Sequence, residues 1–164
     1  GVFIFQRTMA KTKYEIIEIE NTEITIDVSM LFNEDSMFFN ATEMAKGYGK
    51  LPNEFLRQNG GKAYVDAYIE INNSNTALPR ITEDDIIKTR RGNKYGGTWL
   101  HQDLALQFAR WLSPHFAVRL DKLVKEILKR EEQRRKDRLA SKTGYLELSE
   151  AVQNAHDPDK HYHY

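Results

Sequence analysis

Apolar and polar residues alternate strictly along Glu23-Ile24-Thr25-Ile26-Asp27-Val28, and Ile17 and Ile19 alternate with Glu18 and Glu20 just before. A period of two belongs to a strand with one buried face, so a β-hairpin is predicted over residues 14–29, turning at Asn21-Thr22, apolar on one face and acidic on the other. Asn33 to Ser36 reads as a loop, and Met37-Phe38-Phe39 as a short third strand. From Phe39 to Gln58 the pattern changes to two short helices around a glycine turn. Asn40 and Thr42 can accept hydrogen bonds from free helix-start amides, so a helix begins near Ala41. Ala45 is small where a second helix must cross, and Gly49, four residues later, tolerates the positive φ of a tight turn. Pro52 opens the second helix, and Phe55 turns its apolar side back toward Met44 and Tyr48. Lys50, Asn53, Glu54 and Arg57 are left facing outward.

Asn59-Gly60-Gly61 predicts a break, and Tyr64, Val65, Tyr68 and Ile69 then recur at helical spacing, giving a helix over about Lys62 to Ile71. Asn72 to Pro79 carries turn chemistry and reads as an insertion-tolerant loop. Two β-prone arms, around 85–90 and 97–101, flank a tip bearing Arg90, Arg91 and Lys94, where Gly92, Gly96 and Gly97 let the backbone turn. Beside a helix-turn-helix such a basic hairpin is a wing. A P-loop is a poor alternative, since that motif needs Gly-Lys-Ser/Thr opening a helix and here Gly-Gly-Thr-Trp opens a strand. His101 or Gln102 starts a buried helix ended by Ser113-Pro114. Phe116, Leu120, Leu123 and Ile127 then form a stripe that packs on the core as far as about Leu128. Lys129 to Arg138 has no apolar residue and is expected to project into solvent. Residues 144–155 read as one more short amphipathic helix, and the tail from His156 as unstructured.

The class is therefore α+β: a small antiparallel sheet with a hairpin wing, packed on a helix-turn-helix-like pair and a C-terminal helical pair. The domain layout is an unordered N-terminus over residues 1–13, a folded domain over 14–128, and a basic helix with flexible tail over 129–164. Met9 is a candidate natural start, with residues 1–8 an upstream extension.

Composition changes this picture in two ways. Cysteine is absent, which excludes disulfides, cysteine zinc sites and thiol nucleophiles, and no run of about 18 apolar residues offers a membrane span. The formal charge is zero but segregated: Tyr14 to Ser36 holds acids and no Lys or Arg, whereas from Arg119 to Lys142 bases outnumber acids ten to five. A molecule so polarised can turn a basic face to phosphates while its acidic face stays in water. A reducing, cytoplasmic setting is compatible with a chain that has no cysteine.

With the helix pair and the glycine hairpin both in view, the stretch from about Phe38 to Leu128 resembles the KilA-N domain family of phages, bacteria and large DNA viruses. The blocks that match are Phe39-Asn40-Ala41-Thr42 with Ala45-Lys46, Gly49-Lys50 leading to Phe55-Leu56-Arg57, and Gly96-Gly97-Thr98-Trp99-Leu100-His101. They continue through Asp103-Leu104-Ala105, Phe108-Ala109, Trp111-Leu112-Ser113-Pro114 and Phe116-Ala117. The resemblance implies a DNA-binding module related to the fungal APSES fold, acting in phage or viral gene regulation.

Double-stranded DNA is thus the expected partner. The residues expected at it are Lys46, Lys50, Asn53 and Arg57 on the helix pair, and Lys88, Arg90, Arg91, Asn93 and Lys94 on the wing. A homodimer through the C-terminal helices is a further arrangement open to the chain. The competing class is a protein-interaction module acting as an antirepressor without touching DNA. His101, Asp103 and His115 invite a metal or hydrolytic reading, but neither three convergent ligands nor clustered carboxylates are evident, so no enzyme, metal or cofactor is expected. Trp99, Phe108 and Trp111 read as core.

Overall fold

The computed structural model describes residues 12–156; the expectations for residues 1–11 and for the tail after His156 lie outside the described residues. The chain divides into two units, Gly1–Lys125 and Glu126–Tyr164. In the first, strands β1 (Tyr14–Ile19) and β2 (Thr22–Asp27) pair antiparallel with Ile19 opposite Thr22. Glu20 and Asn21 between them have φ of 51° and 62°. Two successive left-handed residues make the turn whose twist matches the strands, so the bend sits one residue earlier than expected and Thr22 already belongs to β2.

Strands β3 (Phe38–Asn40), β4 (Ile87–Arg90) and β5 (Gly97–His101) complete an antiparallel sheet in the order β1-β2-β3-β5-β4. Register aligns Ile26, Phe39 and Leu100 across three strands, and all three are fully buried. Helices α2 (Ala41–Lys46) and α5 (Gln102–Leu112) pack on the sheet, adding Met44, Leu104 and Phe108 to this core. Each such side chain contributes about 1.5–3 kcal/mol by leaving water. Thr25 and Asp27, expected on the acidic face, are buried as well; over Asp27 the cover is the Arg90 side chain, which pairs with it and lies across Trp99.

The expected loop at Asn33 contains a helical turn, α1 (Leu31–Glu34). Gln102, only 8% exposed, then fastens the start of α5 to the entry of β3: its oxygen accepts from the Met37 N–H at 2.7 Å, and its nitrogen donates to the Asp35 carbonyl at 2.9 Å. The break placed at Asn59-Gly60-Gly61 falls at Gln58, whose backbone is extended. The glycines belong to the first turn of α4 (Asn59–Ser74), which exceeds the predicted 62–71 at both ends. Close packing explains the departure from local propensity: a Cβ on Gly61 would lie 2.1 Å from the Phe55 carbonyl oxygen, so only glycine lets α4 start against α3 (Pro52–Arg57). The loop beyond α4 is tied back rather than left loose, with Asn73 exchanging two 2.9 Å hydrogen bonds with Ile81 and Asn72 donating to the Pro79 carbonyl.

Ser113 ends α5, and its hydroxyl accepts from the Phe116 N–H at the start of α6 (Pro114–His156). Within the first unit Phe116, Leu120 and Val124 are buried, as the stripe predicts. In the second, α6 runs on without interruption, so the separate helix expected over 144–155 is a continuation of one element. Its basic stretch is laced with ion pairs: Glu131 takes Arg134 at 3.8 Å and Arg138 at 3.5 Å, and Glu132 takes Lys136 at 3.4 Å. Such pairs, two at one-turn spacing and Glu131–Arg138 at two turns, reduce the free charge that the sequence suggests.

Candidate nucleic-acid interface

The helix pair is built from its caps. Asn40 accepts the Glu43 N–H at 3.1 Å, which satisfies a first-turn donor of α2. Glu43 then reaches across to the Thr25 N–H at 2.7 Å, on the stretch of β2 that three-residue β3 leaves unpaired. Ala45 is fully buried, and Gly49, at φ 63°, makes the turn, as the spacing predicts. Pro52 is the first residue of α3, and Glu54 closes that turn by accepting the Leu51 N–H at 3.0 Å. Phe55 is buried, with Phe108 and Trp111 as its ring partners at 5.4 and 5.8 Å, while Tyr48 meets Phe116.

Thr42 does not serve as a second cap. Its hydroxyl accepts the Thr98 N–H at 3.0 Å, at the start of β5. Asn40 uses its other end in the same direction: its amide nitrogen donates to the Gly96 carbonyl at 3.2 Å. Between these two contacts sits Gly97, at φ 123°, where a Cβ would lie 2.7 Å from the Thr42 hydroxyl oxygen. The glycine hairpin is therefore clasped, three consecutive residues deep, against the first turn of the helix pair. On its other side Tyr95 stacks on Tyr14 at 3.9 Å, and Trp99 donates its indole N–H to the Tyr95 carbonyl at 3.0 Å.

This scaffold sorts the nine expected contact residues into two groups. Lys46, Asn53, Arg57, Arg91, Asn93 and Lys94 are exposed, and no hydrogen bond or ion pair engages the side chains of Lys46, Arg57 or Arg91 among the described residues. Lys94 lies over the Tyr95 ring at 5.2 Å. The other three turn toward the protein. Lys50 is half-buried, its ammonium 4.4 Å above Trp111, itself half-buried whereas Trp99 and Phe108, also expected in the core, are fully buried. Lys88 lies 5.3 Å over Phe38 and lines a cleft of about 710 Å³ with Tyr68, Arg80 and His101. Arg90, expected at the wing tip, pairs with buried Asp27 at 2.6 Å and covers Trp99 at 4.4 Å. Asp27 also accepts the Ser29 N–H at 2.9 Å, but Arg90 is its charged partner, and removing that partner would leave a buried carboxylate uncompensated. The sequence reading missed Asn40, Thr42 and Asp27 as anchors of this surface. Their polarity in an otherwise apolar stretch was the available signal, but it could not say what they meet.

Beside the cleft, Ser36, His101 and Asp103 stand in a row that resembles a hydrolytic triad. The His101 Nε2 is 3.4 Å from the Ser36 hydroxyl, and Asp103 is 3.8 Å from Nδ1. The backbone overrules that likeness: the Asp103 N–H donates to His101 Nδ1 at 3.3 Å, making the imidazole the N-cap of α5. The proton then sits on Nε2 and points at Ser36, the wrong way round for a base. Burial pushes the His101 pKa down, with the Asp103 charge opposing. Burial also pushes the Tyr68 hydroxyl up, helped by its 2.9 Å hydrogen bond to Asp103. Among the described residues no three His, Asp or Glu side chains are grouped to hold a metal ion, and no helix is long and apolar enough to cross a membrane.

Comparison with known proteins gives two matches. The KilA-N domain model matches residues 16–130. KilA-N domain-containing protein L4 of Acanthamoeba polyphaga mimivirus is 29% identical over 119 residues, which is 71% of this chain and 25% of that relative. The chain thus spans about a quarter of the length of the curated relative it matches. No solved structure matches it.

Proposed function

This chain belongs to the KilA-N domain family, generally DNA-binding in phage and viral proteins, and from that premise we propose that it binds double-stranded DNA in a sequence-dependent way, as a regulator of phage or viral genes. The helix pair acts as a helix-turn-helix, with Asn53 and Arg57 of α3 reading base edges. Lys46 on α2, with Arg91, Asn93 and Lys94 on the glycine hairpin acting as a wing, engages the backbone or an adjacent groove. One observation carries this reading: the exposed cations stand on two segments fastened to each other through Asn40 and Thr42, while Arg90 is spent inside. Lys50 and Lys88, held over aromatic rings, contribute field rather than direct contacts. The domain suggested for this role is residues 14–128, with the basic run after it adding a nonspecific attraction.

Selection of bound sites from a random duplex pool tests the proposal. A recovered consensus that relaxes at one position in Arg57→Ala is the expected result, and protein at micromolar concentration that leaves every duplex unbound at low salt refutes it. A second reading, an antirepressor surface without DNA contact, is favoured by the outer strand β1, where Ile16 is 62% exposed beside Glu18. In that case the same duplexes stay unbound and substitution of Ile16 has no bearing on them.

A further inference from the structure

We infer that Asn40 and Thr42 are positioning residues that set where the hairpin cations stand relative to the helix pair, beyond the capping role that their place at the start of α2 suggests. This rests on the DNA-binding reading for its consequence, though the clasp itself belongs to the free protein. Asn40 is 1% exposed, and its two bonds go to different elements: the oxygen takes the Glu43 N–H of α2, and the nitrogen gives to the Gly96 carbonyl of the hairpin. A buried amide is tolerated only where both ends are satisfied, and here satisfaction requires helix and hairpin to be in place together. Thr42 repeats the link two residues further on, through Thr98. Lys46 follows Thr42 by four residues on the same helix face, so the clasp fixes the distance from Lys46 to the hairpin base. Arg91 and Lys94 then emerge from a loop already ordered before any partner arrives, which removes part of the ordering cost of binding.

Two variants separate positioning from mere stability. Asn40→Ser keeps a good N-cap but is too short to reach Gly96, and Thr42→Val keeps the shape while losing the acceptor for Thr98. The first readout is the dependence of duplex affinity on salt. A hairpin that no longer presents Arg91 and Lys94 lowers the log-log slope by up to about two, whereas a fraction of unfolded protein lowers the active concentration and leaves the slope alone. The second readout needs no DNA: amide exchange of residues 91–98 is expected to accelerate by about tenfold or more relative to amides of α5. Slope loss or hairpin-confined acceleration supports the inference, and unchanged values of both in Thr42→Val overturn it, whether or not Asn40→Ser folds. A wild-type protein that ignores duplex DNA removes the proposed function, and the exchange measurement then decides the clasp by itself.

Discussion

The two glycine bends that frame the cation-bearing surface are held by different physics. At Gly49 nothing lies within 4 Å of where a Cβ would be, and glycine is favoured solely by the backbone, at φ 63°. At Gly97 the backbone is also left-handed, at φ 123°, but the position is closed by Thr42 and Asn40 as well. The first bend is a local turn that a suitable sequence makes unaided. The second exists because β3 and β5 pair and bring α2 against the hairpin. A surface with one autonomous side and one dependent side is expected to fail asymmetrically, with the hairpin going first.

The most direct way to break the comparison is an alanine at each bend. Gly97→Ala is expected to cost roughly 2–4 kcal/mol, combining a strained φ with overpacking against Thr42. Gly49→Ala, with strain alone, is expected to cost about 1 kcal/mol. Urea denaturation of the two variants checks this, and equal losses would mean that the clasp at Gly97 is not tight.

The adjacent arginines Arg90 and Arg91 sharpen it. Arg90→Gln leaves the Asp27 carboxylate, 7% exposed, without its charged partner and is expected to destabilise by about 2–3 kcal/mol. Arg91→Gln is expected to change stability by less than about 0.5 kcal/mol, while lowering the salt slope of duplex binding by roughly one. Thermal unfolding and binding titrations in parallel separate the two; if Arg91 were the destabilising substitution, their roles would be exchanged.

The smallest effect comes through pH. Strand β5 starts at the Gly97 bend and ends on His101, whose pKa is lowered by burial. The unfolded chain then takes up a proton at its ordinary value, about 6.5, before the folded one does, so stability is full above that pH and declines as pH falls below it. His101→Asn retains an N-cap for α5 and removes the titration, so its stability is expected to stay flat over the same interval, above the range where carboxylates protonate. A wild-type profile equally flat between pH 6.5 and 5 would show that His101 carries none of this dependence.

Much of the local structure that carries the exposed cations is legible in the sequence. The Ala45/Gly49 spacing, the proline at the start of α3 and the glycine-flanked basic arms each encode a local preference that the fold keeps. Errors arose where one element's conformation depends on another's position. Gly60 and Gly61 read as a break because glycine is a poor helix former, yet α4 must begin there to approach Phe55. Arg90 read as a wing cation because its neighbours in sequence are basic, and no pattern along the chain reveals Asp27, 63 residues earlier, as its partner.

The sequence by itself determined the alternation that makes the sheet, the capped helix pair with its glycine turn, the buried pair of helices around Ser113-Pro114, and the family. These follow from periodicity, caps and turn residues acting over a few neighbours. Only the tertiary structure decided which charges remain available: Asp27 draws Arg90 inward, Trp111 and Phe38 hold Lys50 and Lys88, and Asn40 with Thr42 join the hairpin to the helix. Charge availability depends on distances between strands and helices far apart in the chain, and those distances are set when the sheet assembles.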